Sequence, residues 1–191
     1  LLRSVQLIFT ATEKAAKVVY ALKMYARSGG QEQLTLGAIS DGIETVLTIF
    51  HNQLKKGVEV IREYEEIPAV HCFADELNQV WTNLIQNALQ AMQYQGEIHV
   101  RVRAEATHVA VAITDNGPGI PADVQERIFE PFFTTKGLGK GSGLGLSMVY
   151  GFARQSGGHI ELQSRPGEGT VVRILLPRAA AEAPDRTAAG S

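Results

Sequence analysis

Phe132 to Leu146 reads FFTTKGLGKGSGLGL, and five of these fifteen residues are glycine. The segment from Leu144 to Gln155 follows directly, and its apolar residues predict a helix. Glycine tolerates positive φ and lets backbone amides come close to a ligand. A glycine-rich turn that opens a helix also directs unpaired N–H groups and the positive end of the helix dipole at an anion. The pattern therefore predicts a phosphate-binding turn.

Three further segments stand upstream of this turn. Glu76 to Ala88 (ELNQVWTNLIQNA) reads as one helix, Asp115 to Ile120 (DNGPGI) follows an alternating strand, and Ile128 to Phe133 (IFEPFF) leads into the glycine run. In this order and spacing, the four segments closely resemble the N, G1, F and G2 boxes of the catalytic, ATP-binding domain of sensor histidine kinases. The resemblance covers roughly Leu34 to Arg178, which is most of the chain.

Hydrophobic periodicity predicts a mixture of helices and strands. Helices are predicted over Leu36 to Lys56, over Asp75 to Tyr94 with Asp75 as its cap, and over Leu144 to Gln155. Strands are predicted over Val58 to Glu63, Glu97 to Ala104, His108 to Thr114, His159 to Ser164 and Gly169 to Leu176. Helices separated by hairpin strands favour an α+β, two-layer α/β sandwich over a doubly wound sheet. The resemblance implies the same class, the Bergerat ATP-binding fold, with helices on one face of a mixed sheet.

A helical seam is predicted near the start of the chain. Its residues recur at alternating spacings of three and four: Val5, Ile8, Thr12, Ala15, Val19, Leu22 and Ala26. By resemblance, residues 1–30 are the second helix of a dimerisation and phosphoacceptor hairpin, which implies a homodimer of the full-length protein. A helix that docks on its own domain is the alternative. Residues 34–178 then form the catalytic domain, and 179–191 a disordered tail or linker.

Composition narrows the class of protein. The net charge of −2 over 191 residues argues against a nucleic-acid-binding surface. The lone Cys72 excludes an internal disulfide framework and fits a reducing compartment. No apolar run is long enough to cross a membrane. We expect a cytoplasmic location. Because the chain starts at Leu1 inside a helical pattern, we also expect it to be a fragment of a longer protein. A membrane anchor upstream of Leu1 is the alternative.

Two asparagines are the metal candidates. Asn83 and Asn87 are four residues apart and share one helix face. An amide oxygen is a ligand that Mg²⁺ accepts while it bridges phosphates. The resemblance makes Asn87 the Mg²⁺ ligand and gives Asn83 a supporting role toward metal or phosphate. Related ATPases carry a glutamate at the position of Asn83, and an amide cannot replace that base, so Asn83 favours phosphoryl transfer over hydrolysis.

The resemblance assigns the remaining nucleotide contacts. Asp115 would accept a hydrogen bond from the adenine amino group, although Asp-Asn-Gly-Pro-Gly is also good turn chemistry. Thr134 to Ser142 would be a lid over the phosphates, and Lys136 would be a catalytic phosphate contact together with Asn83 and Asn87. The cofactor-binding set is completed by Gly117, Gly119, Ile120, Phe132, Thr135, Gly141, Ser142, Gly143, Leu144, Gly145 and Leu146. The segments NALQAM and FFTTK further resemble the nitrogen-regulation and oxygen-sensing branch.

A phosphoacceptor histidine is missing from the sequence. The five histidines are His51, His71, His99, His108 and His159, and none is followed by an acidic residue. By resemblance, the acceptor therefore belongs to a helix upstream of Leu1, and the phosphoryl group passes on to a response-regulator receiver domain. The alternatives are an ATPase of the same superfamily, a non-catalytic nucleotide sensor, or a serine kinase of the anti-sigma-factor type. Asn83 counts against the first of these.

Overall fold

The computed structural model describes residue 15 and residues 32–34, 36–136 and 141–179. Apart from residue 15, the predicted N-terminal helix lies outside the described residues, as do residues 137–140 of the predicted lid and residues 180–191 of the predicted tail. The elements in chain order are β1 (Glu32–Leu34), α1 (Leu36–Ile49), α2 (His51–Leu54), β2 (Val58–Tyr64), β3 (Val70–Cys72), α3 (Ala74–Ala91), β4 (Gly96–Ala104), β5 (His108–Asp115), α4 (Ala122–Gln125), α5 (Gly145–Gln155), β6 (His159–Arg165) and β7 (Gly169–Pro177).

The main sheet has five strands in the order β2-β4-β5-β7-β6. β2 runs parallel to β4, and the other three pairings are antiparallel. β1 and β3 form a separate antiparallel pair. The predicted mixed sheet is therefore confirmed.

The core lies between one face of the sheet and the helices. Side chains alternate along a strand, so Ile98, Val100 and Val102 of β4 are buried together on that face. α1, α3 and α5 cover it, and the fully buried Trp81 and Phe152 fill the space between the layers. The predicted α+β, two-layer sandwich is confirmed. Among the helices of the described parts, none is both long and apolar enough to cross a bilayer.

Several local predictions are wrong. The helix predicted over Leu36 to Lys56 ends at Ile49, and a short second helix follows Phe50, whose φ of −87° and ψ of 6° leave the helical range. In that last turn the Thr48 hydroxyl donates to the Glu44 carbonyl, a bond that bends helices. α3 begins at Ala74, so Phe73 occupies the cap position without a side-chain bond, and Asp75 lies inside the first turn. β1, β3 and α4 were not predicted.

Candidate functional site

A cavity of 620 Å³ opens between α3 and the chain segments that flank the glycine run. Its α3 wall consists of Asn83, Gln86, Asn87, Gln90 and Ala91. The opposite wall consists of Pro118, Gly119, Ile120, Pro121, Val124, Ile128, Phe133, Thr134, Thr135, Lys136, Gly141, Ser142, Gly143, Gly145 and Leu146. Four separate stretches of the sequence thus meet around one space.

Asn83 lies deep in the α3 wall, with 7% of its surface exposed. Its Oδ1 accepts a hydrogen bond from Gln79 Nε2 at 3.3 Å. Its Nδ2 is buried and has no hydrogen-bond partner among the described residues. An unpaired buried N–H group is costly, so this amide is available to donate to an acceptor that enters the cavity.

Asn87 and Gln90 present their side-chain oxygens to a lysine that is distant in sequence. Lys136 Nζ donates to Asn87 Oδ1 at 3.3 Å and also to Gln90 Oε1. Both acceptors are neutral amides three residues apart on one helix face. They form a position on the cavity wall that attracts a cation.

Asp115 ends β5 next to this cavity, with 8% of its surface exposed. The backbone N–H of Gly117 donates to its Oδ1 at 2.9 Å. Burial raises the pKa of the Asp115 carboxyl above its ordinary value, and hydrogen bonds from the Gly117 and Thr170 backbones partly offset that effect. A carboxylate fixed by two backbone donors keeps further lone pairs that can accept from a ligand.

The turn after Asp115 is clamped to the β6–β7 hairpin. Gly119 has a φ of +71°, and a Cβ on it would lie 2.0 Å from the Arg165 carbonyl oxygen. Gly167 N donates to Pro118 O at 2.7 Å. Only glycine fits this approach, so the backbone of the turn is held in one position against the hairpin.

α5 follows the glycine run in the sequence, and its first residue, Gly145, lines the cavity. Gly143 has a φ of +67°, and its Cβ would lie 2.3 Å from the Phe132 carbonyl carbon. A Cβ on Gly145 would lie 3.4 Å from Asn83 Oδ1, which brings the first residue of α5 against the α3 wall. Unpaired N–H groups in the first turn of a helix, together with the helix dipole, favour an anion at this point.

The structure places the predicted site residues in two groups. Eleven line the cavity: Asn83, Asn87, Gly119, Ile120, Thr135, Lys136, Gly141, Ser142, Gly143, Gly145 and Leu146. Four do not line it: Asp115, Gly117, Phe132 and Leu144. Gly117 lies directly behind a lining residue, because a Cβ on Gly117 would contact the Cβ of Ala91 at 3.5 Å. Leu144 is buried at the cap of α5, whereas 64% of the Phe132 surface is exposed.

Sequence reasoning missed three polar residues near the cavity. Gln86 and Gln90 line it, and they follow Asn83 at helical spacing, which is a signal that could have found them. Thr170 pairs with Asp115 in the β5–β7 register and is 7% exposed. A single threonine in a strand carries no such signal, because only the pairing of distant strands brings it beside Asp115.

Residues 73–180 match a family model described as Histidine kinase-, DNA gyrase B-, and HSP90-like ATPase. The chain is 48% identical to Sensor kinase CckA of Brucella abortus (strain 2308) over 118 residues, which is 54% of this chain and 12% of that protein. It is 39% identical to Sensor histidine kinase ZraS of Escherichia coli (strain K12) over 113 residues, 59% of this chain and 24% of that protein. It therefore spans a minor part of the length of both curated relatives.

The fold of this chain is similar to a solved structure over the whole length of that structure. The catalytic domain of histidine kinase ThkA, in a nucleotide-free form, has a TM-score of 0.69 and 30% sequence identity. The alignment covers 80% of this chain and 100% of that one. Fold and sequence thus agree on the same group of proteins.

Proposed function

The chain belongs to the histidine kinase-, DNA gyrase B- and HSP90-like ATPase family, and from this premise we propose that it binds ATP with Mg²⁺ and transfers the γ-phosphoryl group to a histidine. The acceptor lies outside the catalytic domain, which we propose spans residues 34–178. Residues 1–30 would belong to a dimerisation hairpin, and residues 179–191 to a tail or linker. The onward acceptor is an aspartate of a response-regulator receiver domain.

One observation carries the proposal: a single cavity collects neutral amides, a backbone turn beside a buried carboxylate, a lysine and a helix N-terminus. Each suits one part of ATP. The Asp115 carboxylate suits the adenine amino group, which is a donor that guanine lacks at that position. Lys136 and the start of α5 suit the phosphates, since both offer positive charge or N–H donors.

The residues present also fit a magnesium ion. Asn87 Oδ1 accepts from an ammonium group in this structure, so it already faces a cation. Within the described residues, no cluster of three or more His, Cys, Asp or Glu side chains could hold a metal by itself. Mg²⁺ would therefore be held by Asn87, phosphate oxygens and water, and when bound it supplies charge neutralisation of the phosphates.

The histidines of the chain support an acceptor elsewhere. Four described histidines do not line the cavity: His51 is on α2, and His99, His108 and His159 are on strands of the main sheet. Transfer would then rest on positioning and electrostatic stabilisation by the cavity. The attacking imidazole would come from the dimerisation hairpin of the same or a partner subunit.

ATP hydrolysis is the competing reaction, and the cavity disfavours it. No Asp, Glu or His is among the described residues that line the cavity. Asn83 stands where a water-activating glutamate would be needed, and its amide has no basicity near neutral pH. Glu76, two turns earlier on α3, is buried and does not line the cavity.

The direct experiment follows the label from γ-phosphate-labelled ATP with Mg²⁺. The chain is tested alone and as part of a longer protein that carries the upstream helix. Acid-labile label on the longer protein, with little free phosphate from either, is expected. Rapid release of free phosphate by the chain alone, without labelled protein, would contradict the proposal and identify an ATPase.

We also propose that the chain belongs to the nitrogen-regulation and oxygen-sensing branch of these kinases. The segments NALQAM and FFTTK support this placement, and their Gln90 and Lys136 contact each other. Phosphotransfer from the labelled longer protein to a panel of receiver domains tests it. Preference for receivers of nitrogen-regulation type is expected, and preference for another type would overturn the assignment.

A further inference from the structure

The contact between Lys136 and α3 joins residues 46 and 49 positions apart in the sequence. The ammonium group of Lys136 donates to Gln90 Oε1 and to Asn87 Oδ1, and all three residues line the same cavity. An ammonium has three donors and no acceptor, so it can donate to both oxygens at once. The two acceptors on α3 therefore fix where the ammonium lies on the cavity wall.

The two acceptors are not equivalent once nucleotide binds. Asn87 Oδ1 is the proposed ligand of Mg²⁺, and one oxygen facing both a magnesium ion and an ammonium would bring two positive charges together. When Mg²⁺ binds Asn87 Oδ1, the hydrogen bond between Lys136 and Asn87 must break, whereas the one between Lys136 and Gln90 can remain. A neutral amide suits this task, because a carboxylate at the same place would repel the triphosphate.

We propose that Gln90 is a positioning residue that anchors the Lys136 ammonium on α3 and directs it at the terminal phosphate of ATP. Lys136 touches the phosphate, and Gln90 acts through Lys136. Without Gln90, the flexible lysine side chain loses a contact on α3 that orders it, so more of its side-chain entropy is lost when it binds the phosphate. This inference rests on the proposed ATP site and deepens it, since it makes recognition of the third phosphate depend on a residue with no charge.

Binding of ATP and of ADP, each with Mg²⁺, separates the two roles, since ADP lacks the phosphate that Lys136 would reach. We would measure both affinities by calorimetry for the parent chain, Gln90→Met, Lys136→Met and the double variant. Methionine keeps the length and volume of glutamine without the acceptor. Gln163→Met, on an exposed position of β6 outside the cavity, controls for the substitution itself.

We expect Gln90→Met to weaken ATP binding about fivefold and to leave ADP binding unchanged. A fivefold loss is about the size expected for one ordinary hydrogen bond, because the exposure of Lys136 weakens its bond to Gln90. Lys136→Met should weaken ATP binding further. The double variant should match Lys136→Met, because Gln90 has no effect once the lysine is gone. A residue with only a structural role would instead lower the affinity for both nucleotides and add its loss to that of Lys136→Met.

Exchange of the two side chains is a rescue test. In Gln90→Lys combined with Lys136→Gln, an ammonium and an amide still face each other across the same cavity. The preference for ATP over ADP that Lys136→Gln loses alone should return in the exchanged variant. Thermal unfolding midpoints of all variants confirm that each still folds.

Three results would overturn the inference, and those that concern Gln90 are distinguishable from the one that concerns the proposed function. If the parent chain prefers ATP over ADP and Gln90→Met keeps that preference, or if the losses of the two single variants add in the double variant, then Gln90 does not act through Lys136. If the parent chain binds neither nucleotide with Mg²⁺, the proposed function is wrong, and so is the inference about Gln90 that rests on it.

Discussion

The two ends of the cavity are built differently. The end proposed to hold adenine consists of the turn over residues 115–120 and the β6–β7 hairpin. It is fixed by hydrogen bonds that involve its backbone: Gly167 N donates to Pro118 O at 2.7 Å, and Ile120 N donates to Ser164 Oγ at 2.8 Å. The end proposed to hold the phosphates consists of Asn87, Gln90 and Lys136. It is joined by hydrogen bonds between side chains that are partly or largely exposed. In the proposed function, the base would therefore meet a preformed surface, whereas the side chains proposed to face the phosphates would exchange partners when the nucleotide binds.

Glycine substitutions at the two ends should give the largest contrast. In Gly119→Ala the new Cβ would lie 2.0 Å from the Arg165 carbonyl oxygen, at a φ of +71°, so we expect a loss of about 3 kcal/mol or more in the free energy of unfolding. In Gly141→Ala the nearest described atoms to the new Cβ are the Thr134 Oγ1 at 3.0 Å and carbons of the Lys136 side chain. Both side chains can move, so a change of about 0.5 kcal/mol is expected. Urea unfolding measures both.

Gly167→Ala separates backbone strain from the clash at Gly119. Gly167 has a φ of +84°, but apart from its chain neighbours no atom of the described residues lies within 4 Å of its added Cβ. We expect a cost of about 1 kcal/mol, from the left-handed backbone alone. Equal losses for Gly119→Ala and Gly167→Ala would contradict the description of the adenine end as a surface clamped to the hairpin.

Asp115→Asn tests base recognition at the adenine end. The variant replaces an acceptor oxygen with an amino group facing the adenine amino group, so we expect ATP affinity to fall about a hundredfold while the fold is retained. Titration calorimetry and a thermal unfolding midpoint measure the two effects. Asp123→Asn removes an exposed carboxylate of α4 and is the matched control. Unchanged ATP binding in Asp115→Asn would remove the adenine assignment.

Asn87→Ala tests the metal at the phosphate end and should have a smaller effect. We expect ATP affinity to fall about tenfold with Mg²⁺ present, because one metal ligand is lost, and to stay unchanged with a chelator. Asn52→Ala, on an exposed position of α2, is the control. If the parent chain binds ATP equally well with and without Mg²⁺, Asn87 has no metal role.

The smallest expected effect is on the pH dependence of the free energy of unfolding, which should depend on the buried Asp115 carboxyl. Because the pKa of Asp115 is raised by burial in the folded state, the folded protein holds this proton to a higher pH than the unfolded chain does. As pH rises from the ordinary aspartate range through the raised pKa, the parent should lose stability relative to Asp115→Asn. Urea unfolding over that pH range checks the sign, and the opposite slope would mean that the carboxylate is stabilised by its environment.

The fold was largely predictable because its signals are local. Ile98, Val100 and Val102 alternate with polar residues and predict β4, and the buried side of α3 has helical spacing. β1 and β3 were missed because three-residue strands contain no full alternation, and their pairing joins Glu32 to Cys72. The break in the first predicted helix was missed because no glycine or proline stands near Phe50.

The candidate site was predictable only in part, because several of its contacts depend on the tertiary fold. The glycine run and the two asparagines carry spacing signals, and the structure brings them to one cavity. The bond between Lys136 and Gln90 has no signal, since it joins two segments that only the folded chain brings together. The placement of Thr170 beside Asp115 depends on strand register in the same way.

The most direct measurement compares ATP with GTP, each with Mg²⁺, in calorimetric titrations of the unmodified chain. In the proposed site, Asp115 is a buried acceptor for the adenine amino group, and guanine would place a carbonyl oxygen against it. We predict that ATP binds and that GTP binds about a hundredfold more weakly, because two acceptors would then face each other without a proton. Equal affinities, or binding of neither nucleotide, would contradict the account.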